Sequence, residues 1–276
     1  MRAVRWIGVV IGVAYGIVPG TAPARAAPPC SAPDQPAARL TFDDEFSRFD
    51  HSPDGSTGWM TRYASGRTLP NELEYYSDSS VGADPFRVEN GVLVITARPG
   101  PNALGLPYVS GAITTFPRFA QRYGYFEMRA QLPAGRGLWP AFWLLPADRS
   151  WPPEIDVFEV LGQAPGTLYV STHSKVGGPN VGVTQSIVVA DVSKGFHRYG
   201  VDWRADRITW CIDGRQVGDE PTPADLNVPM FLLANLAVGG PGSWPGPPDS
   251  TTRFPAEMRI DYIRAYAPEA DPASGH

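Results

Sequence analysis

Three acidic residues lie within six positions of one otherwise apolar and aromatic segment: Glu154, Asp156 and Glu159. Acids are rarely placed in such surroundings without a function. Side chains alternate along a strand, so Glu154 and Asp156 share one face and Glu159 falls on the other. One extra residue, a β-bulge around Val157 and Phe158, returns Glu159 to the first face. The spacing therefore predicts a bulged strand that presents three carboxyl groups together.

Paired carboxyl groups of this kind can cleave glycosidic bonds. Retaining hydrolysis needs two carboxyls about 5–5.5 Å apart, one acting as nucleophile and the other as acid and then base. Mutual repulsion and partial burial raise the pKa of one of them and keep it protonated. Asp156 lies between the two glutamates and can tune that difference. The alternatives are a solvated acidic strand edge or a calcium site, and the apolar flanks disfavour both.

The elements that position these acids are predicted to be strands. Apolar segments are short, often alternate, and are separated by Gly, Pro, Asn or Asp. No long window has a helical period, and strands at regular intervals are typical of an all-β, two-sheet sandwich. We predict a single domain over residues 40–267, whose strands lie at 88–98, 123–132, 138–145, 154–161, 168–174, 196–203, 208–212, 230–238 and 257–267.

The composition of the 276-residue chain excludes several classes of protein. Charged residues make up 18% and hydrophobic residues 43%, so the chain is neither a disordered acidic tail nor a membrane bundle. The 29 Gly and 30 Pro argue against a helical bundle. A net charge of −5 without a basic run speaks against nucleic acid as a partner. The aromatic content of 11% suits stacking on a ligand.

The two ends of the chain are predicted to lie outside the domain. Residues 1–26 have the pattern of a secretory signal, with Arg2 and Arg5 before an apolar stretch over 6–18 and a small-residue cleavage site at Ala24-Arg25-Ala26. That stretch is too short to span a bilayer. Residues 27–39 form a Pro/Ala-rich lead-in, and 268–276 form a flexible tail. We expect a secreted or periplasmic protein with no membrane insertion after cleavage.

The two cysteines, Cys30 and Cys211, leave two interpretations open. In an oxidising compartment they could pair and attach the N-terminal segment to the body of the protein. Alternatively, Cys211 is a small buried hydrophobic residue inside an apolar strand. Neither residue has the electropositive setting of a nucleophilic cysteine, and their separation excludes a Cys-x-x-Cys motif.

At the acidic segment the sequence resembles glycoside hydrolase family 16, the laminarinase and lichenase family. The resemblance extends in family order over about residues 40–267. It is carried by Phe42-Asp43-Asp44-Glu45-Phe46, Asn71-Glu72-Leu73-Glu74-Tyr75-Tyr76, Tyr123-Gly124-Tyr125-Phe126-Glu127, Gly137-Leu138-Trp139-Pro140-Ala141-Phe142-Trp143, Glu154-Ile155-Asp156-Val157-Phe158-Glu159 and Asp261-Tyr262-Ile263-Arg264-Ala265-Tyr266. It implies a jelly-roll sandwich of the concanavalin A-like kind, with a sugar cleft across the concave sheet.

The resemblance also implies a role for each acid. Glu154 resembles the nucleophile, Asp156 the assisting acid and Glu159 the acid/base. A separation of five residues between the glutamates is the bulged form of laminarinase-like members, whereas lichenases with a regular strand have one residue fewer. No cofactor is expected for catalysis.

Further residues match positions that contact sugar in the family. Several of them also have a structural alternative: a turn at Asn71 and Glu72, core packing of Trp139 and Trp143, and a satisfied sheet histidine at His173. The substrate-binding residues implied by the resemblance are Asn71, Glu72, Trp139, Trp143, His173, Asn235 and Trp244.

Family members often carry a calcium ion away from the catalytic centre. The resemblance places its ligands at Glu45, the backbone carbonyl of Gly91, and Asp261, and oxygen ligands suit calcium. From the sequence alone these three are turn and strand-edge residues. A structural calcium ion is therefore an expectation that comes from the family.

The substrate class is a β-1,3- or mixed β-1,3-1,4-glucan, or a bacterial exopolysaccharide with such linkages. Ser174 stands where laminarinases usually place an aromatic residue, and segment 237–249 looks more like exopolysaccharide-cleaving bacterial members. We expect a monomeric, retaining endo-β-glycanase. A non-catalytic glucan-binding module, a transglycosylase and a structural coat protein are the alternatives, and the three retained acids disfavour the binding module.

Overall fold

The structure is a computed structural model that describes Cys30 and residues 39–267. The described part is almost entirely β-structure, with one 3₁₀ turn at Ser79–Val81. The strands, numbered along the chain, are β1 (Arg39–Asp44), β2 (His51–Ser52), β3 (Trp59–Met60), β4 (Glu74–Tyr76), β5 (Phe86–Glu89), β6 (Val92–Pro99), β7 (Tyr108–Ser110), β8 (Ala112–Thr114), β9 (Gly124–Gln131), β10 (Leu138–Pro146), β11 (Glu154–Glu159), β12 (Thr167–Ser174), β13 (Val181–Val188), β14 (His197–Trp203), β15 (Arg207–Ile212), β16 (Arg215–Pro221), β17 (Met230–Val238) and β18 (Ala256–Ala267).

The strands form two sheets. The ten-stranded sheet has the order β16-β15-β14-β9-β18-β6-β7-β4, with β1 also paired to β18 and β5 to β6. The eight-stranded sheet has the order β13-β12-β11-β10-β17-β8-β3-β2. The segment with the three acids, β11, therefore lies inside the second sheet, between β10 and β12. This architecture confirms the predicted all-β, two-sheet sandwich.

One apolar core fills the space between the sheets, and its residues come from both of them. From the eight-stranded sheet, β11 contributes Ile155, Val157 and Phe158, all of which are fully buried. From the ten-stranded sheet, Trp210 packs into the same core, and its indole Nε1 donates to the backbone carbonyl of Asp156 at 2.8 Å. Because the core takes one face of β11, its acidic side chains must point to the opposite face.

Most predicted strands are present with small shifts at their ends. The segment predicted at 88–98 is a hairpin, since Asn90 and Gly91 both adopt positive φ and turn the chain between β5 and β6. Asp213 and Gly214 likewise turn β15 into β16. The edge strand β13 was missed because its side chains are mostly exposed and include glycine and polar residues. Without a buried face, a strand has little hydrophobic pattern to detect.

Cys30 and Cys211 form a disulfide with a Cα–Cα distance of 6.0 Å. This decides between the two interpretations left open by the sequence, although Cys211 is also buried. The predicted signal at 1–26, most of the lead-in and the tail at 268–276 lie outside the described residues. Among the described residues, no helix has the length and apolar character needed to cross a membrane.

Candidate active site

The predicted bulge is present in β11. On the β10 side, Phe142 pairs with Phe158 and Trp143 pairs with Asp156, so Val157 is the extra residue. The pairing with β12 shifts at the same place, between Asp156 and Glu159. Val157 and Phe158 both enter the core, and Glu154, Asp156 and Glu159 are left on the outer face of the sheet. We call this outer face of the eight-stranded sheet the site face.

Two tryptophans hold the two glutamates of the site face. The Trp139 indole Nε1 donates to Glu159 Oε1 at 3.0 Å, from the neighbouring strand β10. The Trp151 indole donates to Glu154 Oε2 from the loop that precedes β11. Each glutamate thus has one oxygen held by an N–H group. Both glutamates are partly exposed, whereas Asp156 between them is 3% exposed.

The surroundings of Glu159 and Asp156 raise the pKa values of both carboxyl groups. Burial, followed by the charge of Glu154, raises the pKa of Glu159 to about 8, against a smaller lowering by the hydrogen bond from Trp139. Burial raises the pKa of Asp156 well above its ordinary value, and the charges of Glu154 and Glu159 add to this effect. Near neutral pH, Glu159 is therefore mostly protonated and can act as an acid.

His173 lies directly opposite Glu154 in the pairing of β11 with β12. Its Nε2 is 3.7 Å from Asp156 Oδ2, and its Nδ1 is 3.4 Å from Asn180 Oδ1. The imidazole ring also lies beside the Trp151 ring, with centroids 5.9 Å apart. Glu154, Asp156 and His173 form the only group of three ligand-type side chains close enough to hold a metal ion among the described residues, with ligand atoms within 4.8 Å of one another.

A hydrogen-bonded chain runs from β10 towards Glu72. The Trp143 indole donates to Asn235 Oδ1 at 2.9 Å, and Asn235 Nδ2 donates to the Tyr76 hydroxyl at 3.2 Å. The Tyr76 hydroxyl in turn donates to Glu72 Oε2 at 3.0 Å. Strand pairing explains the position of Asn235, since it lies opposite Ala141, which lies opposite Glu159. Asn235, Trp143 and Glu72 are thus brought to the same side of the acids.

A second, fully buried acid lies behind Glu72. Glu74 Oε2 accepts from the backbone N–H of Val238 at 2.8 Å, and its carboxyl contacts that of Glu72. Burial, then the charge of Glu72, raises the pKa of Glu74 well above its usual range, and burial also raises the pKa of Glu72. Two carboxyl groups in contact repel each other when both are ionised, so the pair retains one proton. Glu72 is thereby held in place as a hydrogen-bond acceptor.

The two remaining residues predicted to bind sugar, Trp244 and Asn71, are both exposed. Trp244 is 45% exposed, and its ring lies 6.2 Å from that of Trp139 and 4.5 Å from that of Tyr169. Asn71 is exposed in a turn with positive φ, and its carbonyl accepts from the Gly240 N–H at 2.8 Å. Asn71 therefore has the turn role considered as its alternative, at a position next to Glu72. Contact of these residues with a sugar stays a prediction.

The carboxylates expected to bind calcium are both paired with arginines. The Glu45 carboxylate pairs with Arg264 at 2.5 Å, and the Asp261 carboxylate pairs with Arg129 at 2.5 Å. Gly91 lies next to the Glu45 backbone carbonyl. Because guanidinium groups occupy both carboxylates, this arrangement does not fit calcium as it stands. A calcium ion at this position stays a prediction.

The structure adds site residues that sequence reasoning did not assign. Trp151 holds Glu154, and Tyr169 lies opposite Glu159 in the strand pairing. Tyr63 packs against Tyr76 and Trp143, with ring centroids at 4.9 and 5.8 Å. The adjacency of Trp151 to the acidic segment was the only available signal. Ser174, the departure noted in the sequence, donates to Asp225 Oδ1 at 2.6 Å.

The chemistry available to this arrangement is that of a carboxylate and a carboxylic acid on one surface. The glutamate at one end of β11 can attack an acetal carbon, while the protonated glutamate at the other end can deliver a proton to the departing oxygen. The indole rings and the Glu72 carboxylate surround them with apolar faces and a hydrogen-bond acceptor, the combination that binds the faces and hydroxyl edges of sugar rings.

A family model, two curated relatives and a solved structure all relate this chain to the same family of proteins. The family model described as "Glycosyl hydrolases family 16" matches residues 74–264. The chain is 42% identical to endo-1,3-1,4-beta-glycanase EglC and 43% identical to endo-1,3-1,4-beta-glycanase ExsH, both of Rhizobium meliloti (strain 1021), in alignments that cover 86% of this chain and 54% of each relative. It thus spans about half the length of these curated relatives. The laminarinase catalytic domain of Thermotoga maritima MSB8 superposes with a TM-score of 0.72 at 35% identity, covering 85% of this chain and 100% of that domain.

Proposed function

The chain belongs to glycosyl hydrolase family 16, and on that basis we propose that it is an endo-acting β-glycanase that hydrolyses β-1,3- or mixed β-1,3-1,4-linked polysaccharides with retention. The observation that supports this most directly is the bulged strand β11, which presents Glu154, Asp156 and Glu159 on one face. In this proposal Glu154 is the nucleophile, Glu159 is the acid and then the base, and Asp156 positions and tunes Glu154.

In the first half-reaction the two glutamates of β11 act as nucleophile and acid. Glu154 attacks the anomeric carbon and forms a glycosyl ester, while Glu159 transfers its proton to the glycosidic oxygen that leaves. Once the negative charge of Glu154 is consumed in the ester, one of the two causes that raise the Glu159 pKa is removed. Glu159 can then act as the base that activates water, which attacks the ester and releases the sugar with its original configuration.

The side chains around the acids suggest how the polysaccharide is held. Trp139 and Trp244 present rings beside Glu159, and Trp151 presents its ring beside Glu154. Glu72, fixed by Tyr76 and Glu74, accepts sugar hydroxyls in this proposal. The names of the Rhizobium meliloti relatives favour a polymer that contains both β-1,3 and β-1,4 bonds. We propose export to the periplasm or medium, which the Cys30–Cys211 disulfide supports.

The substrate is tested by incubating the chain with laminarin, lichenan, agarose and a bacterial exopolysaccharide containing β-1,3 and β-1,4 bonds. Short oligosaccharides detected by mass spectrometry would identify the linkage, and products larger than the donor would indicate transglycosylation. The anomer that forms first, read by proton NMR, tests retention. If all four polymers are bound without any products, the proposal is wrong and a glucan-binding role replaces it.

The nucleophile is tested with Glu154→Gln. We expect kcat on the preferred polymer to fall by at least about a thousandfold, since the amide cannot form the glycosyl ester. The matched control is Glu89→Gln, which changes a glutamate paired with Arg87 and Arg259 on the other sheet. Near wild-type activity in Glu154→Gln, with an unchanged melting temperature, would contradict the assignment.

A further inference from the structure

Asp156 Oδ2 and His173 Nε2 lie close together on the site face without a hydrogen bond between them. Asp156 Oδ2 is buried and accepts no hydrogen bond within the described part of the chain. His173 Nε2 lies 3.7 Å from this oxygen, which is too long for a hydrogen bond. The Asp156 carboxyl also lies against that of Glu154. A buried carboxyl oxygen without a hydrogen-bond partner is costly, so a third group bound between Asp156 Oδ2 and His173 Nε2 would stabilise the site.

The other nitrogen of His173 indicates which form of the ring faces Asp156. Nδ1 lies 3.4 Å from Asn180 Oδ1, and in the tautomer that donates from Nδ1 to this oxygen, Nε2 presents its lone pair towards Asp156. Histidines that bind metal ions in proteins commonly have this arrangement, in which an oxygen atom orients the ring through the nitrogen that does not bind the metal. The packing of Trp151 against the imidazole further restricts its orientation.

We propose that Glu154, Asp156 and His173 form a binding site for a divalent transition-metal ion such as zinc. Ligand atoms of a tetrahedral zinc ion at about 2.1 Å lie about 3.4 Å apart, close to the 3.7 Å between His173 Nε2 and Asp156 Oδ2. All three ligand atoms lie within 4.8 Å of one another, so the longest separation has to shorten by at most about 1.4 Å to close the site, and the Glu154 side chain is partly exposed.

The ligand set selects the class of ion. Calcium and magnesium take oxygen ligands, whereas one imidazole with two carboxylates suits zinc and its neighbours in the first transition series. Three protein ligands leave a fourth position for water on the solvent side of Glu154. Under the proposed function, the metal ion and the polysaccharide compete, because the ion occupies the carboxylate that must attack the sugar. Binding of the ion itself does not depend on that function.

The test is a calorimetric titration of zinc chloride into the metal-stripped chain in a buffer that does not bind zinc. We expect one zinc ion per chain in the wild type. His173→Gln and Asp156→Asn should each weaken binding by more than about tenfold, since each removes a ligand. X-ray absorption at the zinc edge should report one imidazole nitrogen and otherwise oxygen ligands.

Two control variants distinguish zinc binding at this site from zinc binding elsewhere on the chain. His197→Gln removes a histidine that pairs with Asp213 on the other sheet, and should bind zinc like the wild type. Glu159→Gln removes an acid outside the metal-binding set, and should keep zinc binding while losing hydrolysis. Absence of binding at millimolar zinc, or equal binding by His173→Gln and the wild type, overturns the proposal. If the chain binds zinc at this site but hydrolyses none of the polymers in its metal-stripped form, the proposed function alone is contradicted.

Discussion

At the scale of single residues, the protonation of Glu159 is controlled by the residues around it. Burial and the charge of Glu154 raise its pKa to about 8, and the Trp139 N–H opposes this rise because it stabilises the carboxylate. If Glu159 is the acid of the first step, kcat/KM declines as the pH rises through this pKa, since only the protonated form donates. Trp139 therefore has two roles in our proposal, as a ring beside the sugar and as a donor that tunes the acid.

Replacing Trp139 with Phe tests the second role. The variant keeps an aromatic ring but loses the N–H that lowers the pKa of Glu159, so the alkaline limb of the kcat/KM profile should move to higher pH. Trp143→Phe is the matched control, because the Trp143 indole donates to Asn235 and not to an acid. A limb that moves to lower pH in Trp139→Phe, or moves equally in both variants, would contradict this account.

At the scale of the element, the bulge in β11 determines which side chains share the site face. Because Val157 is the extra residue, its removal restores regular alternation and leaves Glu159 on the face of Glu154 and Asp156. Removal of Ile155 instead makes Glu154 and Asp156 adjacent, so that they point to opposite faces. Both residues are apolar and fully buried, so the packing lost is similar in kind.

These two deletions form a matched pair for an experiment. We expect the chain without Val157 to keep measurable hydrolysis, and the chain without Ile155 to lose it. Circular dichroism and the midpoint of urea unfolding would establish that both variants fold. Equal activity in two folded deletion variants would mean that the bulge does not control the presentation of the acids.

At the scale of the whole molecule, a disulfide joins Cys30 to Cys211 of β15 across 181 positions of sequence. Cys30 also donates its backbone N–H to the Gly214 carbonyl at 3.0 Å, so this residue is held at two points. A crosslink that closes so long a loop restricts the unfolded chain and stabilises the folded state by up to about 5 kcal/mol. The same bond is consistent with an oxidising compartment.

Removal of the disulfide should lower stability without changing the site. We expect Cys30→Ser to lower the melting temperature and the urea midpoint, and a reducing agent to do the same to the wild type but not to the variant. Activity at room temperature should be retained, because the disulfide joins β15 and not the site face. A wild-type melting temperature that does not respond to full reduction would contradict this prediction.

The sequence by itself determined the class of fold, the bulged acidic strand and the grouping of Glu154, Asp156 and Glu159 on one face. These features are local: apolar alternation and turn residues define strands, and a five-residue separation of two glutamates in an apolar strand requires one extra residue to share a face. Asn71, Glu72, Trp139, Trp143, His173, Asn235 and Trp244 came from the resemblance, and the structure places them around or beside the acids, where their contact with sugar still awaits a test.

Only the tertiary structure decided how these residues affect one another. The register of β10, β11 and β12 brings Trp143 opposite Asp156 and His173 opposite Glu154, and strand pairing between distant segments has no local signal in the sequence. The disulfide and the arginines that occupy Glu45 and Asp261 also depend on long-range packing. The raised pKa of Glu159 has the same origin, because burial and nearby charge are properties of the assembled sheet and not of a residue's neighbours in sequence.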